Sequence, residues 1–233
     1  MSEVVINKLV RSRRRTVGLE ITRDARLVVR APRRIALGDI QRILFKKKDW
    51  IARKQRFFRQ RRAESPPKQF IDGEFFYYLG CLYPLKLVDT GPIRLTEYLE
   101  FPRPLVLRAR EHLVQWYKAR AYEKIRERLD WYAQSTGWQY AKMRISDAQK
   151  RLGSCSAKGN LNFSWRLVMA PLAIIDYLVV HELVHLDEKN HARRFWDKVG
   201  QIIPDYKQSE SFLKNNHRIF ELDTAATFPP QRV

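Results

Sequence analysis

Residues 174–191 run Ile174-Ile-Asp-Tyr-Leu-Val-Val-His181-Glu-Leu-Val-His185-Leu-Asp-Glu-Lys-Asn-His191. A helix drawn through Ile174 to Leu186 is apolar on nearly every side, and a helix apolar all round is a buried one. Burying His181, Glu182 and His185 without partners would cost roughly 1 to 3 kcal/mol for each polar group. Two histidines four residues apart project from one helical face a turn apart. That is the placement two imidazoles need to hold a single Zn²⁺, and Glu182 falls beside the metal's open position. The blander alternative is a set of core histidines hydrogen-bonded to one another. The His-Glu-x-x-His spacing inside so apolar a helix favours the metal.

A catalytic zinc site takes three protein ligands and leaves a position for water. His191 is the candidate third ligand, because His181, His185 and His191 have the separations, four and then six, of the pattern H-E-x-x-H-x-x-G-x-x-H. Glu188 stands where that pattern has glycine. Asn190 is therefore expected to supply the left-handed residue that turns the chain back. Asp187 and Glu188 are rival carboxylate ligands, expected to continue the helix away from the metal. Zinc brings the pKa of a bound water toward about 7, and Glu182 is placed to take its proton while a polarised carbonyl is attacked. The expected reaction is peptide-bond hydrolysis on a protein or peptide substrate. The strand expected at Asn160 to Leu167 would lie along the cleft as an edge for an extended substrate. Asn160, Asn162, Arg151 and Tyr206 are the candidate substrate contacts, with Arg144, Arg166 and His217 as further groups near a reacting carbonyl. Cys155 is more often a small buried hydrophobe than a nucleophile or a fourth ligand.

Outward from this segment the pattern is mixed. Upstream, Leu105 to Tyr132 has helical periodicity, Tyr140 to Ser146 reads as a strand, and a Gly/Ser loop surrounds Gly153. Downstream, helices are expected at Leu172 to Glu188, Ala192 to Ile202 and Gln208 to Leu222. At the other end, Val4 to Val10, Thr16 to Thr22 and Leu27 to Ala31 read as strands, with a turn at Arg23 to Arg26, followed by one long basic helix from Leu37 to about Arg62. Ala63 to Gln69, with Pro66-Pro67, reads as a linker, and Phe70 to Val88 as two or three strands with turns at Asp72-Gly73 and Leu79-Gly80. The expected fold class is α+β. A basic β-rich N-terminal lobe with one long helix would occupy 1–100. A zincin-like lobe would occupy 101–224, its active-site helix beside a small antiparallel sheet, and a flexible tail would occupy 225–233.

The 233 residues carry 45 Lys plus Arg against 25 Asp plus Glu, a formal net charge of +20, and 45% are hydrophobic, enough for a core. The excess is uneven. Residues 1–62 hold 20 basic and 5 acidic side chains, 63–136 hold 11 and 10, and 137–233 hold 14 and 10. The basic residues 1–62 are thus a candidate nucleic-acid contact, although Trp50, Phe57 and Phe58 fall at helical spacing and read as core. Two distant cysteines make no disulfide framework, residues 1–15 are not expected to act as a secretory signal, and the longest mostly apolar run, Leu167 to Val180, is too short for a bilayer. A soluble, cytoplasmic protein with no membrane contact is expected.

The run Arg151-Leu-Gly-Ser-Cys-Ser156, with Gly159-Asn160, Asn162, Trp165-Arg166-Leu167, Ala170-Pro171, Ile175-Asp176-Tyr177, His181-Glu-Leu-Val-His185, Asn190-His191 and Phe195-Trp196, resembles the YgjP-like zinc metallopeptidases. These are zincins distantly similar to SprT-like proteases. The resemblance extends to Arg30-Ala31-Pro32, Lys48-Asp49-Trp50-Ile51 and Tyr78-Leu79-Gly80. It implies zinc held by His181, His185 and His191, with Glu182 as catalytic base. Leu152 stands where the family usually has Trp, and Ala192 where it usually has Ser, a helix N-cap role that Asn190 would have to take. A basic nucleic-acid-binding protein with a structural or vestigial zinc site is the alternative.

Overall fold

The structure, a computed structural model, describes residues 4–22, 24–64 and 68–222, with the backbone alone for 61–64. The expected tail at 225–233 and the Pro66-Pro67 linker lie outside these residues. The chain divides after residue 67 into two compact units.

In the first unit β1 (Lys8–Ser12), β2 (Gly18–Ile21) and β3 (Leu27–Pro32) form a sheet in the order β1-β3-β2. β2 and β3 are the antiparallel hairpin read from their alternation, Ile21 facing Leu27, and Ala25 takes a positive φ of 60° in the turn. β1 adds in parallel, with Lys8 opposite Val28 and Ser12 opposite Pro32. The expected single helix is two: α1 (Leu37–Lys46) and α2 (Lys48–Glu64), separated by Lys47 at φ −107°, ψ 10°. Neither glycine nor proline marks this break, so the apolar periodicity runs straight through it. Leu27, Val29, Ala31, Ile40, Leu44 and Ile51 form the unit's small core, with Trp50 and Phe58 packed against it. Phe57 is exposed.

The second unit begins with a four-stranded sheet in the order β4-β5-β7-β6, from β4 (Phe75–Tyr78), β5 (Cys81–Val88), β6 (Arg94–Leu95) and β7 (Leu99–Pro102). The lobe boundary expected at residue 100 is therefore displaced. Phe76, Leu85, Leu99 and Phe101 share one buried cluster with the C-terminal helices. The Leu79-Gly80 turn explains part of this. Its amides donate to the carbonyls of Val168 (2.8 Å) and Met169 (3.1 Å), and a Cβ on Gly80 would lie 2.9 Å from the Pro171 Cα. Only glycine, at φ 83°, allows so close an approach.

A 3₁₀ turn at Arg103–Arg108 leads into α3 (Ala109–Thr136), which buries Leu113, Tyr117, Ala121, Ile125 and Leu129 along one face and stops at Gly137, left-handed at φ 76°. Then come β8 (Lys142–Ser146), β9 (Gly153–Cys155) and β10 (Asn160–Ser164). Their order is β8-β10-β9, with β10 parallel to β8 and antiparallel to β9, so the sheet is mixed rather than antiparallel. β10 is the central strand. The edge expected at Asn160 to Leu167 is instead β9, in the stretch read as a loop, and Trp165–Met169 is a 3₁₀ turn. The C-terminal helices are α4 (Leu172–Val184), α5 (Arg193–Ile202) and α6 (Tyr206–Asn215), so α4 ends before the expected Glu188. Among the described residues no helix is long and apolar enough to cross a membrane.

Candidate metal centre

α4 is the most buried helix of the unit, with Ile174, Ile175, Val179, Val180, Leu183 and Val184 all in the core. Its carboxylate Asp176 is held by Arg128, Nε at 2.5 Å and Nη2 at 3.1 Å. His181 and Glu182 occupy its last turn and His185 its C-cap. The chain then reverses over 186–190, where the Lys189 ammonium donates to the carbonyls of His185 and Leu186, both at 2.8 Å. A cation at a helix C-terminus satisfies carbonyls that would otherwise lack donors. Asn190 does not take the left-handed conformation expected of it, nor does it cap α5. Its Oδ1 accepts from the Ala192 amide at 3.1 Å, within the turn, and Ala192 is the residue at the N-cap.

This reversal brings His191 to the other two imidazoles. Its Nε2 lies 3.0 Å from that of His181 and 3.2 Å from that of His185. One ligand atom from each of the three lies within 4.8 Å of the others. The His185 Nδ1 faces the Glu188 carbonyl at 2.8 Å; a carbonyl only accepts, so Nδ1 carries the proton and Nε2 presents its lone pair. Burial, and then the neighbouring imidazoles, push His181 down to about 3, and burial lowers His185 too, so both are neutral near pH 7. Asp187 and Glu188 are turned elsewhere. The first accepts from Trp138 at 2.8 Å and Lys198 at 3.1 Å, and the second pairs with Lys198 at 3.2 Å. Two nitrogens bound at about 2.0 to 2.1 Å in a tetrahedron sit about 3.4 Å apart, so these residues fit a zinc ion.

Glu182 is 5% exposed, and its Oε2 has no hydrogen-bond partner among the described residues. Burial raises its carboxyl to about 7, against the opposing charge of Arg151. The β9 backbone lies against it, for a Cβ on Gly153 would come within 2.9 Å of its Cγ and Cδ and closer still to Oε1. Phe195 of α5, fully buried, forms the floor, its ring centroid 4.6 Å from those of His185 and His191 and 4.8 Å from that of His181. Beside it His191 stacks on Trp196 at 5.6 Å, and Trp196 on Tyr206 at 5.2 Å.

A family model for the YgjP-like metallopeptidase domain matches residues 15–216. The chain belongs to the YgjP-like metallopeptidase family. That places it among metal-using hydrolases that act on peptides. Among solved structures, the metallopeptidase zymogen abylysin of Pyrococcus abyssi aligns at 20% identity over 40% of this chain and 94% of that one, with a TM-score of 0.36. No curated protein sequence matches.

Of the sequence-expected substrate contacts, Tyr206 reaches the site through the Trp196 stack, and Arg151 is exposed just before β9 with its charge acting on Glu182. Asn160 and Asn162 lie on the central strand β10, where Asn160 bonds Ser156 by its amide at 3.0 Å and by Nδ2 at 3.4 Å. Arg166 is 3% exposed, paired with Asp147 at 2.8 Å and lying 4.2 Å over the Trp165 ring, so it is not an open cation of the cleft. Arg144 and His217 are exposed. Cys155 is half-buried, its thiol 3.4 Å from the Ser156 carbonyl and pushed up by burial, which keeps it protonated. Gly153 and Phe195 were given no part in the chemistry by the sequence. Gly153 read as a loop residue, and only the fold shows it on β9 with its missing side chain leaving room for Glu182.

Proposed function

We propose that the protein is a zinc-dependent peptidase, an endopeptidase in mode, whose second unit carries the chemistry. His181, His185 and His191 would hold the metal, and Glu182 would act as the general base. The observation that carries this is the convergence of three imidazole nitrogens beside a buried carboxylate, one oxygen of which has no partner among the described residues. Zinc held by these three imidazoles would supply Lewis acidity, acidifying a water and polarising a carbonyl. Glu182, which is not a ligand, would take a proton from the attacking water and return it to the leaving amine. Phe195 and the buried face of α4 cover one side of the half-buried His181 and His185, His191 being exposed, and the Glu188 carbonyl fixes the tautomer of His185. An extended substrate would pair along β9, the sheet edge at the site, with Arg151 and Tyr206 flanking it as contacts. A structural zinc normally takes four protein ligands, and three are gathered here among the described residues, which favours the catalytic reading over a structural or vestigial site.

The test is metal analysis together with casein cleavage before and after chelation, on the wild type and on Glu182→Gln. Bound zinc, cleavage lost on chelation and restored by zinc, and an inactive but zinc-loaded Glu182→Gln are expected. Absence of zinc from the wild type, or equal cleavage by both proteins, would overturn it.

A further inference from the structure

The metal centre makes no use of the first unit, where the charge is concentrated. Up to residue 67 there are 20 Lys plus Arg against 6 Asp plus Glu. The topology gathers part of that charge in one place. Because β1 and β3 are parallel, with Ser12 opposite Pro32, the chain leaves both strands at the same end of the sheet, and β2 enters there with Gly18 opposite Arg30. The two segments that meet at this end, 11–18 and 31–38, contain Arg11, Arg13, Arg14, Arg15, Arg33 and Arg34 and no acidic residue.

Two of these arginines build the end and four face outward. Arg11 donates to the carbonyls of Pro32 (3.3 Å), Arg33 (3.0 Å) and Ile35 (2.8 Å), tying the segments together. Arg14 is half-buried against Gly18, where a Cβ would meet its Nη2 at 2.8 Å. Arg13, Arg15, Arg33 and Arg34 are exposed, and among the described residues no carboxylate pairs with them. The nearest acids in sequence are engaged elsewhere, Glu20 with Arg30 at 3.2 Å and Asp39 with Arg42.

We propose that this arginine end of the first unit binds the phosphate backbone of a nucleic acid. A single-sign cluster raises the local concentration of a polyanion. The exposed cations are all arginine, whose planar fork matches phosphate oxygens in a way that lysine's ammonium does not. A lipid surface fits less well, since interfacial binding scales with apolar area, and within these two segments Leu37, 58% exposed, is the single exposed large hydrophobic. Contacts to phosphate carry no base information, so binding is independent of sequence and sensitive to salt.

The test uses the full chain, a labelled duplex of about 20 base pairs and fluorescence anisotropy between 50 and 200 mM salt. Replacing Arg13, Arg15, Arg33 and Arg34 by Ala is expected to weaken binding at least about tenfold. It should also reduce the slope of log affinity against log salt by about 3 to 4, at roughly 0.9 per phosphate contact. Removing four exposed cations of the helical segment 37–64 instead (Lys46, Lys47, Arg53 and Arg56 to Ala) should cost distinctly less, while casein cleavage stays unchanged in both. Should the first variant fail to fold, Arg13→Ala with Arg34→Ala reads the same effect with a slope change of about 2. No binding by the wild type, unchanged binding by the arginine variant, or equal loss in both variants would overturn the proposal. So would tighter binding to phosphatidylserine vesicles than to the duplex.

Discussion

In the first unit most cations stand in water around a small core of aliphatic side chains, and among the described residues no titratable one is fully buried. In the second, basic and acidic side chains nearly balance (25 against 19), and the core is large enough to enclose Tyr117, Trp165, Phe195 and the carboxylate Glu182. The difference is one of solvation. A guanidinium at the surface keeps its hydration and needs no partner, so a short segment can collect many of them. An imidazole or carboxylate inside a core loses its hydration and persists only where something else compensates. Charge that is cheap to hold therefore marks a surface, and a buried polar group without a compensating partner among the described residues, as Glu182 is and the Asp147-paired Arg166 is not, marks the candidate site.

The sharpest way to break this contrast is His185→Ala. Removing one of three ligands should take the metal content from about one per chain to near zero and abolish cleavage, as metal analysis and a peptide assay will show. Glu182→Gln comes next. Cleavage should fall about 10²- to 10⁴-fold with metal content unchanged, so metal loss in this variant would contradict the role of a base that is not a ligand. Gly153→Ala adds one methyl to the edge strand against the Glu182 side chain. A displacement near 1 Å costs about 10²-fold, so kcat should drop by about that factor while zinc and the melting temperature are kept. Full activity in this variant would show that the carboxylate has more room than the structure gives it.

Asp147→Ala tests stability instead of turnover. Burial would raise its carboxyl, but hydrogen bonds from Trp165 and Arg166 outweigh that and hold it below the usual 3.8. A carboxyl lowered in the folded state contributes stability that is present above its unfolded pKa and is lost as pH falls through the folded value. The substitution should cost about 1–2 kcal/mol at neutral pH, modest because Asp147 is itself largely in water, and the difference from wild type should shrink in acid. Denaturant titrations near pH 7 and pH 3 measure both. The smallest expected effect is on cleavage when Arg13, Arg15, Arg33 and Arg34 are replaced, since none belongs to the second unit. A large loss there would show that charge and chemistry are not separable.

Much of the site was legible because helical periodicity is local. His181, Glu182 and His185 share a helix, and an apolar helix carrying them says that they are buried together. His191 was legible only as a separation. Its approach depends on a reversal that the sequence assigned to Asn190, and that instead runs through a helix ending early at Val184 and the Lys189 cap on its carbonyls. The strands of the second unit were read with the wrong neighbours. Alternation shows that Phe70 to Val88 and Asn160 to Ser164 are extended, but pairing is a contact between distant segments, so neither β9 as the edge nor the place of β4 to β7 in the larger core followed from it. The break at Lys47 left no mark, because one residue out of helical geometry leaves the apolar spacing intact.

The sequence by itself determined that His181, Glu182 and His185 share one apolar helix, because that spacing is local, and it located most of the excess charge in the first 62 residues. Tertiary structure decided the arrangement: that β9 presents its backbone to Glu182 at a glycine, that Phe195 lies under three imidazoles, and that Arg11 to Arg15 and Arg33 to Arg34 meet at one end of a parallel pair. The physical reason is range. Propensity and periodicity act over a few residues along the chain, whereas a close approach between backbone and side chain, or a shared end of a sheet, is fixed by packing between segments tens of residues apart.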